Sequence, residues 1–296
     1  MEPKVSVILV NYNGYKDTVD CLKSLSRVDY DNFDVIVVDN ASTELPTRDE
    51  MAYIKSQALF LPVQHNLGFS GGNNIGIEQA IKNGAAYVLL LNNDTTVESD
   101  FLKNMVEAAK NGRDVGIVTG KIRFFSRPDY IWFGGGYFDN RDGKIGHERY
   151  NIKDNEQFNS PVRNISFASG CLMLIPIGAV LKVGLLEEKY FLYSEDTDYC
   201  CRIRRAGLNI LFCEKAVIYH KVSASTGKNS DSMTYYTTRN KLYIARDFTT
   251  NRYSAYARIT LQLLKDVIRG RKRLSPIVGG YRSFFKNEVG RMPKNW

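Results

Sequence analysis

Cysteine is scarce in this chain, and its arrangement excludes two structural roles. The five cysteines (Cys21, Cys171, Cys200, Cys201, Cys213) make an odd count with no zinc-type spacing. They are expected to be small buried hydrophobes. Met1-Glu2-Pro3-Lys4 leads straight into a strand with no signal sequence ahead of it, so a reducing cytoplasm is the expected compartment. Long hydrophobic runs are also missing. A bilayer span needs about 20 apolar residues, and the best candidate, Gly170 to Leu181, is too short and contains Pro176. Internal repeats and low-complexity tracts are absent, which excludes collagenous and disordered classes. No nucleic-acid module is recognisable, so nucleic acid is not expected as a partner.

What remains is an ordinary globular composition, 44% hydrophobic and 24% charged over 296 residues. That length can bury a substantial core in one large domain or two smaller ones. The net charge of +8 is unevenly placed: the part from Tyr235 onward carries +11 and the rest −3. Apolar residues interleave with this basic tail (Ile259, Leu261, Leu264, Ile268, Phe284, Phe285). The combination suggests an anionic membrane surface as partner of residues 235–296, with the protein cytoplasmic and peripheral on the inner face.

Short β-branched runs at Val5–Val10, Asp34–Asp39, Ala58–Val63 and Ala86–Asn92 read as buried strands. Helical spacing over Tyr15–Leu25, a helix opening near Pro46, and another ending near Asn83 alternate with them. Such alternation predicts an α/β fold, a mostly parallel sheet with helices on both faces. A nucleotide-binding half is expected over about 4–121. A less regular half, rich in aromatics and glycine at first, follows over 122–233, and a basic helical region over 234–296. Within these, strands are expected at Cys171–Ile175 and Leu208–Cys213. Helices are expected from Pro176 to Val183 and from Asp196 to Ala206, the latter stopped by Gly207. The chain after Met233 reads as helical, with breaks near Gly270 and Gly279–Gly280.

Four places carry candidate chemistry. Leu89-Leu90-Leu91-Asn92-Asn93-Asp94 ends a buried strand in a carboxylate, where α/β sheets bind ligands and where a hard cation shared with phosphate can sit. Asp39 ends a second strand, and Asn11-Tyr12-Asn13 tips the first; a tyrosine can stack on a base and a carboxylate can accept from a base N–H. Asn66 to Asn74 is a glycine-rich turn entering a helix, a place where backbone N–H groups favour pyrophosphate, though it matches neither the dinucleotide nor the P-loop fingerprint. Ser194-Glu195-Asp196-Thr197-Asp198 opens a helix. A serine cap and first-turn acids suit the helix dipole, yet three carboxylates within four residues exceed capping needs. One of them facing a cleft can act as general base. His220 is by default a structural histidine and alternatively a metal or phosphate ligand; His65 and His147 are weaker candidates.

Taken in order, Val5–Gly14, Val37–Ser42, Asn66–Asn74, Leu89–Asp94, Ser169-Gly170-Cys171, Ser194–Asp198 and Tyr219-His220 resemble the family-2 glycosyltransferases with their GT-A fold, over roughly residues 4 to 250. The nearest likeness is to the non-processive bacterial, rhamnosyltransferase-like branch. The resemblance implies a nucleotide-sugar donor and a glycan or lipid-linked acceptor in surface polysaccharide synthesis. It implies that Tyr12 and Asp39 contact the base beside Val10 and Asn11, that Asn66, Gly68, Phe69 and Asn73 line the donor site, and that Asn93 lies near the ribose. It further implies Asp94 as ligand of Mg2+ or Mn2+, His220 completing the metal or diphosphate site, and Asp196 as catalytic base with Glu195 beside it. Asn92 stands where the D-x-D pattern has its first Asp, so metal affinity rests largely on one carboxylate and the diphosphate. The Q-x-x-R-W motif of processive synthases is missing, which implies one sugar per encounter. Two rival readings are a sugar-phosphate nucleotidyltransferase, which would want a basic glycine-rich loop after the first strand, and a nucleotide-sugar-binding protein without catalysis.

Overall fold

The computed structural model describes residues 2–155, 162–222 and 230–293. Its first part follows the alternation read from the sequence: β1 (Val5–Asn11), α1 (Tyr15–Leu25), β2 (Phe33–Asp39), α2 (Arg48–Gln57), β3 (Leu59–Pro62), α3 (Gly68–Lys82) and β4 (Tyr87–Asn92). β3, β2, β1 and β4 lie side by side, all parallel. Strands covered on both faces need no polar alternation, and Val7, Ile8, Leu9, Val37, Val38, Leu89 and Leu90 are fully buried. α2 starts at Arg48, two residues beyond Pro46. Thr47 caps it reciprocally with Glu50, which satisfies two otherwise orphaned N–H groups.

Beyond β4 come β5 (Thr95–Val97), α4 (Phe101–Asn111), β6 (Val115–Phe124) and β7 (Arg127–Phe133). The short strands β8 (Gly136–Asp139), β9 (Lys144–His147) and β10 (Val162–Ile165) follow, as the aromatic and glycine-rich composition suggested. Next are β11 (Leu172–Pro176), α5 (Ile177–Val183), α6 (Glu195–Arg205) and β12 (Asn209–His220). β11 inserts antiparallel between β4 and β6, and β12 runs parallel to β6. β12 is longer than the expected strand. It passes an irregularity between Cys213 and Val217 and continues to His220, carrying that residue to the far end of β6.

α7 (Asp231–Phe248), α8 (Arg252–Ile268) and α9 (Leu274–Phe285) complete the described chain. Gly270 breaks the helices as expected, with φ +65°. The expected break at Gly279–Gly280 does not occur: α9 runs through it. A Cβ on Gly280 would come within 2.9 Å of the Tyr235 carbonyl and of Thr238 Cβ. The glycine is there for close packing on α7, not for a turn. The break that the sequence reading missed lies at Thr249–Asn251, where Asn251 caps α8 by accepting from Ser254 N–H. Lys294 of the basic tail lies outside the described residues.

Candidate active site

β1, β2 and β4 end together. Asn11 pairs with Asp39 across the sheet, and Val10 with Asn92, so the polar tips of three strands share one edge. Asp39 is 7% exposed. Its Oδ1 accepts from Asn11 Nδ2 (2.8 Å), Tyr15 Oη (2.9 Å) and Ser42 Oγ (2.6 Å). Its Oδ2 meets only the Ser42 amide, at 3.3 Å. One oxygen is saturated and the other retains capacity for a further N–H donor. Tyr12 is 39% exposed beside it, and Val10 is partly buried. Asn93 is tied inward, its Nδ2 within 2.9 Å of Thr18 Oγ1 and 3.3 Å of Asn11 Oδ1.

The Asn66–Asn74 segment differs from the glycine-rich phosphate turn expected there. α3 already begins at Gly68, and its first N–H groups have protein partners. Leu67 N–H donates to Asn40 Oδ1, Gly68 N–H to Asn66 Oδ1, and Phe69 N–H to the Phe191 carbonyl. Those three amides are therefore spent, not offered to an anion. The glycines instead allow close approach. A Cβ on Gly72 would lie 2.8 Å from Val10 Cγ1, and one on Gly76 2.4 Å from Ile8 Cγ2, so α3 sits directly on β1. Gly68 has φ +72°, and a Cβ there would be 2.2 Å from the Phe191 carbonyl oxygen. Asn73 is 2% exposed and donates to the Phe69 carbonyl within its own helix.

Asp94 lies two residues beyond β4. His220 Nε2 approaches its Oδ1 at 3.2 Å. Burial would push the His220 imidazole down, but the Cys171 sulfur and the Asp94 carboxylate outweigh it and raise it to about 10. No cluster of three or more His, Cys, Asp or Glu suited to a metal occurs among the described residues. At this tip one carboxylate, Asp94, and one imidazole, His220, lie together. The carboxylate fits a hard cation that takes further positions from diphosphate oxygens and water, and His220 can add a nitrogen only after losing the proton that Asp94 favours. Trp132, missed as a site residue, sits edge-on to His220 (ring centroids 4.7 Å apart) and to His147 (5.0 Å). His147 is packed among Trp132, Phe133 and Phe167, and burial lowers its pKa. His65 is exposed and belongs to none of this.

Asp196 stands beside the chain segment that leads into β11. Its Oδ2 accepts from the Gly170 amide at 3.3 Å, and its Oδ1 from the Thr197 amide at 2.7 Å. The next residue, Cys171, gives its carbonyl to the Asn92 amide, which joins this end of α6 to the Asp94 tip. A Cβ on Gly170 would touch both the Phe69 ring (3.2 Å) and Asp196 Cβ (3.5 Å), so the α3 start also borders the carboxylate. Asp196 is partly buried, whereas Glu195 is 6% exposed with an unpartnered Oε2. Burial first, then the Asp196 charge, pushes the Glu195 carboxyl up to about 8. Burial also raises Asp196, against the amides of Gly170 and Thr197 that favour its charged form. Ser194 does not cap α6 as expected. It adopts φ +75°, with no capping bond from its side chain. Asp198 is claimed by structure instead, accepting from Arg202 Nε at 2.6 Å and Tyr190 Oη at 3.0 Å.

Residues 6–184 match the family described as "Glycosyl transferase family 2". The chain belongs to glycosyl transferase family 2. The family's curated members that it resembles include the "Low-salt glycan biosynthesis hexosyltransferase Agl10" of Haloferax volcanii, 24% identical over 88% of this chain and 81% of that protein. They also include the "dTDP-rhamnosyl transferase RfbF" of Shigella flexneri, 21% identical over 83% of this chain and 81% of that one. Among solved structures, GalNAc-T7 with UDP, GalNAc and Mn2+ superposes with a TM-score of 0.62 at 12% identity, covering 90% of this chain and 57% of the other. The mannosyltransferase PcManGT from Pyrobaculum calidifontis, in complex with GDP-Man and Mn2+, gives 0.57 at 15% identity over 97% and 82%. The fold is accordingly GT-A, and this family-2 member is a glycosyltransferase. The nucleotidyltransferase reading falls with that assignment.

Proposed function

We propose that the enzyme transfers one sugar, with inversion, from a nucleotide-sugar donor to a hydroxyl of a glycan or lipid-linked acceptor in surface polysaccharide synthesis. The observation that carries this is the contrast between adjacent carboxyls. Glu195 is buried with an oxygen that has no partner among the described residues, while the amides of Gly170 and Thr197 donate to Asp196 and favour its charged form against burial. Of the two, Asp196 is therefore the carboxyl we assign to accept a proton. Asp196 takes the proton of the acceptor hydroxyl while that oxygen bonds to the anomeric carbon and the bond to the nucleoside diphosphate breaks. Tyr12 stacks on the base, and Asp39 Oδ2 accepts from a base N–H. Asp94 and His220 would hold the divalent cation, Mg2+ or Mn2+, which when bound offsets the charge developing on the diphosphate. Mn2+ in two structural neighbours supports that assignment. RfbF, named a dTDP-rhamnosyl transferase, supports dTDP-rhamnose as donor, and Agl10, named a hexosyltransferase, supports a nucleotide-hexose such as a UDP-hexose as the alternative.

Replacing Asp196 by Asn removes a general base worth about 10²–10⁴ in rate. Asp196→Asn should lose at least the lower of these while binding UDP or dTDP normally; near-normal turnover overturns the role. Asp94→Ala should abolish the gain in nucleoside diphosphate affinity that Mn2+ gives, and equal affinities with and without Mn2+ in the unaltered enzyme would refute the metal site.

A lipid-linked acceptor also accounts for the tail. No helix of the described residues is long and apolar enough to cross a membrane. Leu264 and Ile268 on α8 and Leu274 and Phe285 on α9 are nevertheless exposed. Thr260 and Tyr281 hydrogen-bond between the two helices. Arg269, Arg271 and Arg273 stand exposed in and beside the connecting loop. An apolar patch rimmed by cations is complementary to anionic lipid.

A further inference from the structure

The loop that delivers Glu195 and Asp196 is unfavourable on its own. Phe191, Tyr193 and Ser194 have φ of 63°, 67° and 75°, the left-handed region that side chains avoid at a cost of about 1–2 kcal/mol each. Such backbone persists only where its surroundings over-determine it. The anchors come from α7, part of the helical region that the sequence reading set apart from catalysis. Asn240 Nδ2 lies 3.0 Å from the Tyr190 carbonyl, 2.9 Å from that of Leu192 and 2.7 Å from that of Tyr193. Arg239 Nη2 adds a bond to the Tyr190 carbonyl at 3.0 Å, and its Nε donates to Asn240 Oδ1 at 3.0 Å. That last bond fixes which end of the Asn240 amide faces the loop. Both side chains are 0% exposed. Arg239 has no carboxylate partner among the described residues; its guanidinium lies against the rings of Tyr235 and Tyr236. A fully buried cation without an anion is expensive, and its described polar contacts are the loop carbonyls and Asn240. The same loop touches the donor side, since the Phe191 carbonyl accepts from Phe69 N–H at 2.8 Å.

We infer that Asn240, oriented by Arg239, is a positioning residue for the reaction: it holds the 190–193 carbonyls so that Asp196 faces the acceptor. This rests on Asp196 being the base. The helix that begins the basic tail is then part of the catalytic apparatus.

The test uses the full-length enzyme and hydrolysis of dTDP-rhamnose or UDP-glucose, scored per nucleotide-binding site by titration with the matching nucleoside diphosphate and Mn2+. Asn240→Asp keeps the shape and replaces the amide N–H groups by an acceptor that repels the carbonyls. A displacement of about 1 Å can cost roughly 10²-fold in rate. Turnover per site should fall about 10- to 100-fold with nucleoside diphosphate affinity changed less than about threefold. Arg239→Lys keeps the charge and loses the Nε that orients Asn240, and should show the same split, smaller in size. If Asn240→Asp does not fold, Arg239→Lys decides alone. Turnover per site within threefold of the unaltered enzyme overturns the inference. So does a fall in nucleotide affinity equal to the fall in turnover, which would make the loop a donor-site support. Asp196→Asn is run alongside: if it keeps its turnover, the assignment of the base has failed, whatever Asn240 does.

Discussion

Glu195 and Asp196 are chain neighbours that helix geometry sends into different surroundings. Successive residues on a helix point about 100° apart, so one carboxyl is sealed in and the other reaches the Gly170 amide. Their proximity in sequence was legible; the division of labour was not, because it depends on β11 and on what covers each group. The raised Glu195 pKa has a consequence for stability. Folded Glu195 keeps its proton up to about 8, whereas the free side chain ionises near 4.5. Its contribution is therefore complete below about pH 4.5 and is lost as pH climbs from there to about 8. Glu195→Gln, which cannot ionise, should escape that loss. Its melting temperature relative to the unaltered enzyme is expected to rise between about pH 5 and about pH 8 and to level off above that, and a constant difference across that range would show that Glu195 is ionised in the fold.

At the scale of elements, glycine was the hardest residue to interpret from sequence. Gly72 and Gly280 look like turn residues in a linear reading, and Gly76 like a weak spot in a helix. In three dimensions they are the flat places where α3 meets β1 and α9 meets α7. Adding a methyl there overpacks the contact, at about 1–3 kcal/mol. Gly76→Ala should lower unfolding free energy by that amount in urea titration. Gly178, exposed in α5 with nothing within 4 Å of an added Cβ, is the opposite case. Gly178→Ala should gain up to about 0.5–1 kcal/mol through helix propensity. If Gly76→Ala is neutral or stabilising, as Gly178→Ala is expected to be, α3 does not sit on β1 as described. β1, β2 and β4, by contrast, were readable almost to the residue, since burial on both faces leaves an unbroken apolar run between polar ends; β3, expected to be buried, is instead the edge strand and has no buried residue.

For the whole molecule the open question is what the basic helices meet. Each Lys or Arg near an anionic surface contributes about 1 kcal/mol. Removing Arg269, Arg271 and Arg273 together should weaken binding to phosphatidylglycerol-containing vesicles roughly 100-fold, measured by co-sedimentation, with little binding to phosphatidylcholine alone in either case. Equal affinity of the triple Ala variant and the unaltered enzyme would remove the membrane from the proposal.

Local chemistry written along the chain was enough to determine the strand ends carrying Asn11, Asp39 and Asp94, the acidic opening of α6, and the family resemblance they compose. Each is a run of consecutive residues whose burial and polarity follow from its own pattern. Only the tertiary structure decided that His220 meets Asp94, that Trp132 bridges two histidines, and that Asn240 grips a loop 47–50 residues earlier in the chain. Those contacts join segments far apart in sequence, and a side chain's partner across such a distance is set by how the sheet and helices stack, which no single stretch of the chain encodes.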